Sequence, residues 1–209
     1  MGRRIVEQQI ATEFRSSRTP VREALRRLEG DGHLTRDPSG GMRPRVPNVR
    51  AMRNLYDLRL AIEDLVVRRA ANSGDQGVLD ALEQEWLALD AQRRGHWLDT
   101  EGSAFVYRDE SFHQRIAEAS GNEVAAETLQ SISARIRILR IYDFTSEERI
   151  GATITEHLEI VRAVLAGDAD VAAGFMRAHI QRSANVVRER IGEALARMFE
   201  RGDARPHTE

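Results

Sequence analysis

The chain has 209 residues, 41% apolar and 31% charged, enough to bury the core of one large domain or two small ones. It has no cysteine, which excludes disulfides, thiolate catalysis and cysteine-ligated zinc, and no run approaches the ~20 apolar residues of a membrane span. The net charge of −2 is unevenly spread: residues 1–48 hold ten Arg against six acidic residues, and the remainder 21 Arg against 27. A basic head on an acidic body directs a polyanionic partner to the head. The opening MGRRIVEQQI lacks a secretory apolar core, so the expected location is the cytoplasm.

The head comes first in chain order. Residues 5–14 read as a short helix, Arg15-Ser16-Ser17 as a tight turn, and residues 18–30 as a second helix. Ser17 suits the cap position, and Pro20 falls in the first turn, where a missing N–H does no harm. Residues 34–36 and 43–46 are expected to pair as a ribbon around Gly40-Gly41. Helix, turn, helix, ribbon is the order of a winged helix-turn-helix. In the second helix Val21, Leu25 and Leu28 form an apolar stripe, while Arg18, Thr19, Arg22 and Arg26 project elsewhere. Arg and Thr near a helix N-terminus can reach base edges and phosphates; a solvated basic face is the plainer alternative.

From Val49 to about Arg201 the apolar residues keep a helical period. Breaks near 72–75, 94–96, 120–122, 144–146 and 166–168 divide this body into about six helices, an antiparallel bundle by its short connections. The expected fold is therefore mostly α, with domains at residues 1–48 and 49–205.

Four polar residues lie on the body's apolar stripes. Phe105, Asp109, Phe112, His113 and Ile116 share one helix face, His157 lies among Ile154, Leu158, Val161 and Leu165, and His179 among Phe175, Met176, Ile180 and Ser183. His157 precedes Asp168 by eleven residues and His179 follows it by eleven. On antiparallel neighbours, both would stand ~16 Å from the turn, at one level. A buried carboxylate and imidazoles need partners, and a shared cation suits all four. The set fits zinc, nickel, manganese or iron; isolated hydrogen-bonded core histidines are the other reading. Arg59, between Leu55 and Ile62, and Arg135, a weaker candidate grouped with Val124, Ile132 and Leu139, could each pair with a carboxylate ligand or serve in an ordinary helix-surface or interhelix ion pair.

The run Ser-Arg-Thr-Pro-Val-Arg-Glu-Ala-Leu-Arg-Arg-Leu at 17–28 closely resembles the recognition helix of the GntR family of regulators. Ile-Val-Glu-Gln-Gln-Ile-Ala at 5–11 is similar to the family's preceding helix, the Gly40-Gly41 tip to its wing, and the body to the FCD type of effector domain. The resemblance implies that Ser17, Arg18, Thr19 and Arg22 meet operator DNA, with Gly41 on a wing in the minor groove. It also implies that Asp109, with His113 four residues on, binds metal together with His157 and His179, beside an effector pocket containing Arg59. Three departures stand out. Arg15 occupies the turn where the family uses Gly, Gly40 stands where a basic wing residue is common, and the family's opening helix of about 15–20 residues is expected to be missing.

These observations lead to a DNA-binding transcription regulator, not an enzyme. It would act as a homodimer on double-stranded operator DNA and answer to a small carboxylic acid bound near a divalent transition metal. A metal-dependent helical-bundle enzyme, or a metal-binding dimerisation module without DNA binding, are the alternatives. Against the enzyme, no nucleophile constellation and no unliganded general base is evident near the metal ligands.

Overall fold

The computed structural model describes residues 4–44, 49–93, 102–141, 143–144 and 146–203. They divide into two compact units, Met1–Asn48 and Val49–Glu209.

In the first unit, α1 (Glu7–Glu13) and α2 (Arg18–Gly30) precede an antiparallel ribbon of β1 (Leu34–Arg36) and β2 (Met42–Pro44). Leu34 pairs with Pro44, Thr35 with Arg43 and Arg36 with Met42. Ala11, Val21, Leu25, Leu34 and Met42 form a small core, which holds the two helices and the ribbon together. Arg15, at the turn, has φ 49°, the left-handed region that glycine enters more cheaply. The first helix is shorter than its sequence pattern, because Ile5 is drawn into a bridge with Met42, donating its N–H to the Met42 carbonyl at 2.8 Å. The ribbon's second strand begins one residue early, and the rest of the expected strand, like any helix ahead of Arg4, lies outside the described residues. Phe14 is 72% exposed.

The second unit consists of six helices among the described residues: α3 (Val49–Ser73), α4 (Gln76–Arg93), α5 (Gly102–Ala119), α6 (Glu123–Arg140), α7 (Glu147–Leu165) and α8 (Ala169–Asp203). α3 packs on α8, α4 on α7, and α5 on α6 and α3. Trp86, Phe105, Phe112, Ile136, Ile154, Val161, Met176 and Ile180 are among the buried side chains of a single large core. No described helix is long and apolar enough to cross a membrane.

One turn in this bundle fixes the level of the later site. At the end of α7, the Gly167 N–H donates to the Val164 carbonyl at 3.0 Å and the Asp168 N–H to the Ala163 carbonyl at 3.0 Å. This Schellman closure needs a left-handed residue, and Gly167 supplies it with φ 73°. The Asp168 carboxylate then accepts from the Val171 N–H at 3.3 Å and opens α8. The chain thus reverses within two residues, bringing His157 and His179 side by side.

Because the helical unit has its own core, deleting residues 1–48 should leave a folded helical protein. Circular dichroism and a cooperative melt test this; a product without a melting transition would contradict it.

Candidate metal centre and its surroundings

α5 contributes Asp109 and His113, one turn apart on its inner face, while α7 contributes His157 and α8 His179. All four are buried, and one potential ligand atom from each lies within 4.8 Å of the others. His179 Nε2 stands 3.2 Å from His113 Nε2 and 3.3 Å from His157 Nε2. Asp109 Oδ1 lies 3.5 Å from His157 Nε2 and 3.7 Å from His179 Nε2; its Oδ2 lies 3.5 Å from His113 Nε2.

The outer nitrogens explain why these atoms face one another. His113 Nδ1 bonds Glu63 Oε2 on α3, and His179 Nδ1 bonds Glu156 Oε2 on α7 at 2.6 Å. Burial works to raise the Glu63 carboxyl, but the charges of Arg59 and His113 outweigh it and bring it down to about 2. Glu156 is likewise lowered against its burial, first by the His179 hydrogen bond. Both carboxylates are therefore acceptors, and each Nδ1 must carry the donated hydrogen. Burial, helped by the Arg59 charge and opposed by Glu63 and Asp109, pushes His113 down to about 4, so its ring is neutral at pH 7. Burial and the neighbouring His179 charge drive His157 well below its ordinary value. His113 Nε2 thus presents a lone pair toward His179 Nε2 across 3.2 Å, a short approach that a shared cation would bridge.

His157 is oriented by packing. Its ring stacks on Phe112 at 3.8 Å with 5° between planes and meets the edge of Trp86 at 4.2 Å. Among the described residues its Nδ1 has no hydrogen-bond partner, and neither has Asp109 Oδ1.

The donor set fits a metal ion. Nitrogens ~2.1 Å from a common ion would stand ~3.0 Å apart at right angles and ~3.4 Å apart in a tetrahedron. The observed 3.2 and 3.3 Å fall between these values.

Two arginines adjoin the cluster, Arg59 from α3 and Arg140 from the end of α6, both fully buried. Arg59 Nε donates to Glu63 Oε1 at 2.5 Å, and Arg140 Nη2 donates to Asp109 Oδ2. Burial disfavours the Arg140 charge, yet the Asp109 carboxylate more than compensates and raises its affinity for the proton. Arg140, followed by the three imidazoles, holds Asp109 well below the usual carboxylate range against the effect of burial. Arg59 Nη1 and Nη2, and Arg140 Nε and Nη1, remain without hydrogen-bond partners among the described residues. Buried guanidinium N–H groups left so are costly. Close by, Asp143 binds Arg149 at 2.9 Å, and the Tyr56 hydroxyl lies 3.3 Å from Ser183 Oγ.

Arg135 is exposed on α6 and does not join this group. The inner face of α6 runs through Leu129, Ile132, Ser133 and Ile136 to Arg140. Glu63, Arg140 and Glu156 escaped the sequence reading. The first two carried a signal, since Glu63 follows Arg59 by four residues on one stripe and Arg140 follows Ile136 by the same step.

In the head, Arg18 and Arg22 lie on the first turns of α2 with side chains 60% and 49% exposed. Both face Glu7 of α1, Arg22 at 3.2 Å and Arg18 at 3.7 Å. Ser17 and Thr19 are exposed; Ser17 has the extended backbone of a cap but makes no capping hydrogen bond. At the ribbon tip Gly40 has φ 78°, and Asp37 accepts from the Gly41 N–H at 2.8 Å and the Ser39 hydroxyl at 2.6 Å.

The Arg140–Asp109 pair yields a direct prediction. Arg140→Met leaves Asp109 charged and unpaired in the core, a change that costs ~3–5 kcal/mol. The metal-free variant should melt well below the wild type, and added zinc or nickel should recover much of the loss by taking over the guanidinium's charge. Paired melting curves with and without metal test this; an equal deficit in both states would contradict it.

Comparison with known proteins matches residues 1–43 to the bacterial regulatory proteins of the gntR family and residues 54–182 to the FCD domain. The Nta operon transcriptional regulator of Aminobacter aminovorans is 32% identical over 98% of this chain and 94% of its own length. Among solved structures, Escherichia coli McbR/YncC superposes with a TM-score of 0.72 at 20% identity, covering 90% of this chain and 88% of that one. The metal-free FCD domain of TM0439 gives 0.54 at 20% identity over 68% of this chain and 95% of its own. With a regulator's head, an FCD body and relatives that are transcriptional regulators rather than enzymes, this chain belongs to the GntR family of transcriptional regulators, FCD type.

Proposed function

We propose that this regulator binds operator DNA as a homodimer through α2 and the ribbon, and that a small carboxylate bound beside a divalent transition metal controls its affinity. The observation that carries the reading is the buried convergence of Asp109, His113, His157 and His179 beside Arg59 and Arg140, whose outer N–H groups lack partners among the described residues. Asp109, His113, His157 and His179 would hold the metal. Bound there, a divalent ion supplies Lewis-acid charge for an anionic ligand.

Charge accounting supports an anion. Arg59 with Glu63, Arg140 with Asp109, and Arg149 with Asp143 are three neutral pairs. A dication added to neutral pairs leaves about two positive charges in a medium of low dielectric constant. A carboxylate answers both that excess and the free edges of the arginines, since guanidinium and carboxylate meet through parallel hydrogen bonds. Glu110, the acidic group next to Asp109 in sequence, is bound to Arg137 at 2.8 Å.

In the head, Arg18 and Arg22 can exchange Glu7 for phosphate oxygens or a guanine edge, with Ser17 and Thr19 beside them and Gly41 on the wing. Each arginine that reads a base contributes roughly 1–3 kcal/mol. Arg18→Ala and Arg22→Ala should each weaken operator binding by that amount and flatten its salt dependence. Titration of the operator fragment across a salt series tests this; two variants that bind as tightly as wild type would overturn the assignment.

His157→Ala and His179→Ala test the body. Each should lower metal content and melting temperature and abolish the response of operator affinity to a carboxylic acid selected by screening for stabilisation of the metal-loaded protein. Full metal occupancy in both variants would overturn the metal reading. An undiminished response in metal-free protein would make the ion purely structural.

A further inference from the structure

Glu63 is one carboxylate serving two partners. Its Oε1 accepts from Arg59 Nε at 2.5 Å, while its Oε2 accepts from His113 Nδ1. It is fully buried, as are Arg59 and, within 1% exposure, His113. The other backing carboxylate differs. Glu156 serves His179 together with Arg149 and Arg182, and Arg182 is itself half exposed, so that charge is spread over several partners and screened by solvent. At Glu63 a ligand imidazole and a fully buried arginine, whose Nη1 and Nη2 have no partner among the described residues, share one solvent-free carboxylate that is not itself a candidate ligand.

We propose that Glu63 is a positioning residue through which an anion on Arg59 sets metal affinity at His113. The inference rests on the reading of Asp109, His113, His157 and His179 as metal ligands. The physical route is short. A carboxylate that accepts the outer N–H of a ligating imidazole fixes its tautomer and makes the inner nitrogen a stronger donor. Arg59 draws on that same negative charge through Nε. Its Nη1 and Nη2 are unpartnered, so a carboxylate can dock on them while the Nε bond to Glu63 persists. The guanidinium charge is then divided between two anions, and Glu63 gives more of its own to His113. The anion therefore tightens the metal, and by linkage the metal tightens the anion by the same factor. No helix has to move for this coupling, because Arg59 and Glu63 sit one turn apart on α3 and His113 faces them from α5.

The test uses the full chain stripped of metal, with Co(II) as the metal and acetate as the anion. Affinities come from competition with a chelating dye and the ligand field from the visible absorption of bound Co(II). Glu63→Gln should weaken Co(II) about 10- to 100-fold and shift its absorption band. Arg59→Met, which frees Glu63 permanently, should bind Co(II) more tightly than wild type. Acetate should tighten Co(II) in wild type, and most of that factor should vanish in both variants. Glu156→Gln serves as the comparison and should keep the acetate effect.

Wild-type Co(II) affinity and band in Glu63→Gln would overturn the proposal, as would an undiminished acetate factor in that variant, which places the coupling in direct metal–anion contact. Weaker Co(II) binding by Arg59→Met would overturn the shared-charge step. If circular dichroism shows that either variant fails to fold, the wild-type arm decides: acetate that leaves Co(II) affinity unchanged or lowers it overturns the proposal. A wild type that binds no Co(II) removes the metal reading as well, whereas one that binds it with Glu63→Gln unaffected removes only this inference.

Discussion

Three imidazoles and a carboxylate that converge in a dry protein interior must have their charges and polar atoms answered there. That constraint organises the helical unit. The carboxylates on the far side of two rings shape it, because Glu63 and Glu156 claim the Nδ1 hydrogens and turn the Nε2 atoms of His113 and His179 toward each other. The remaining features serve the same point in space. Phe112 and Trp86 fix the plane of His157, the Gly167 turn sets α7 and α8 in register, and the four-residue step from Asp109 to His113 adds a carboxylate at the same level.

The parts of this arrangement that follow from a single helix were legible in the sequence. Asp109 and His113 keep the apolar period of α5, and His157 and His179 keep those of α7 and α8, so their inward direction could be read before any packing was known. Equal spacing on either side of Asp168 gave their level, because a two-residue reversal was written in Gly167-Asp168. α6 was harder. It is apolar on more than one side, and Val124, 73% exposed, pulls an assigned stripe toward the outer face and toward Arg135. The buried face is anchored by Leu129 and Ile136, and it carries Arg140 inward.

Long-range partners left weaker marks. Glu156, one position before His157 and off its stripe, is only 8% exposed because Arg149 and Arg182 close over it. No local pattern announces that closure. The same holds in the head, where α2 is bounded by its own turn residues but α1 loses its first residues to a pairing between Ile5 and Met42. An isolated periodicity shows which face is apolar; it does not show which distant strand will compete for a backbone N–H.

The two pairs of arginines obey opposite electrostatics, which suits them to the different tasks proposed for them. Arg18 and Arg22 are exposed and already share Glu7, whose carboxyl they hold below its ordinary range, chiefly through the Arg22 hydrogen bond. Such pairs are weak and screened by salt, so a polyanion can replace Glu7 at little cost, and many similar sites on DNA can be sampled. Arg59 and Arg140 are buried, each with one carboxylate partner and further N–H groups that find no hydrogen-bond partner among the described residues. An anion that reaches them must shed its water, but it recovers hydrogen bonds that no bulk ion can offer, and only a ligand of matching size and charge completes the set. Loose, exchangeable contacts suit a surface that must search; a buried, solvent-free group suits one that must discriminate. The same side chain serves both ends of the molecule because burial, rather than chemistry, decides how much each unpaired N–H is worth.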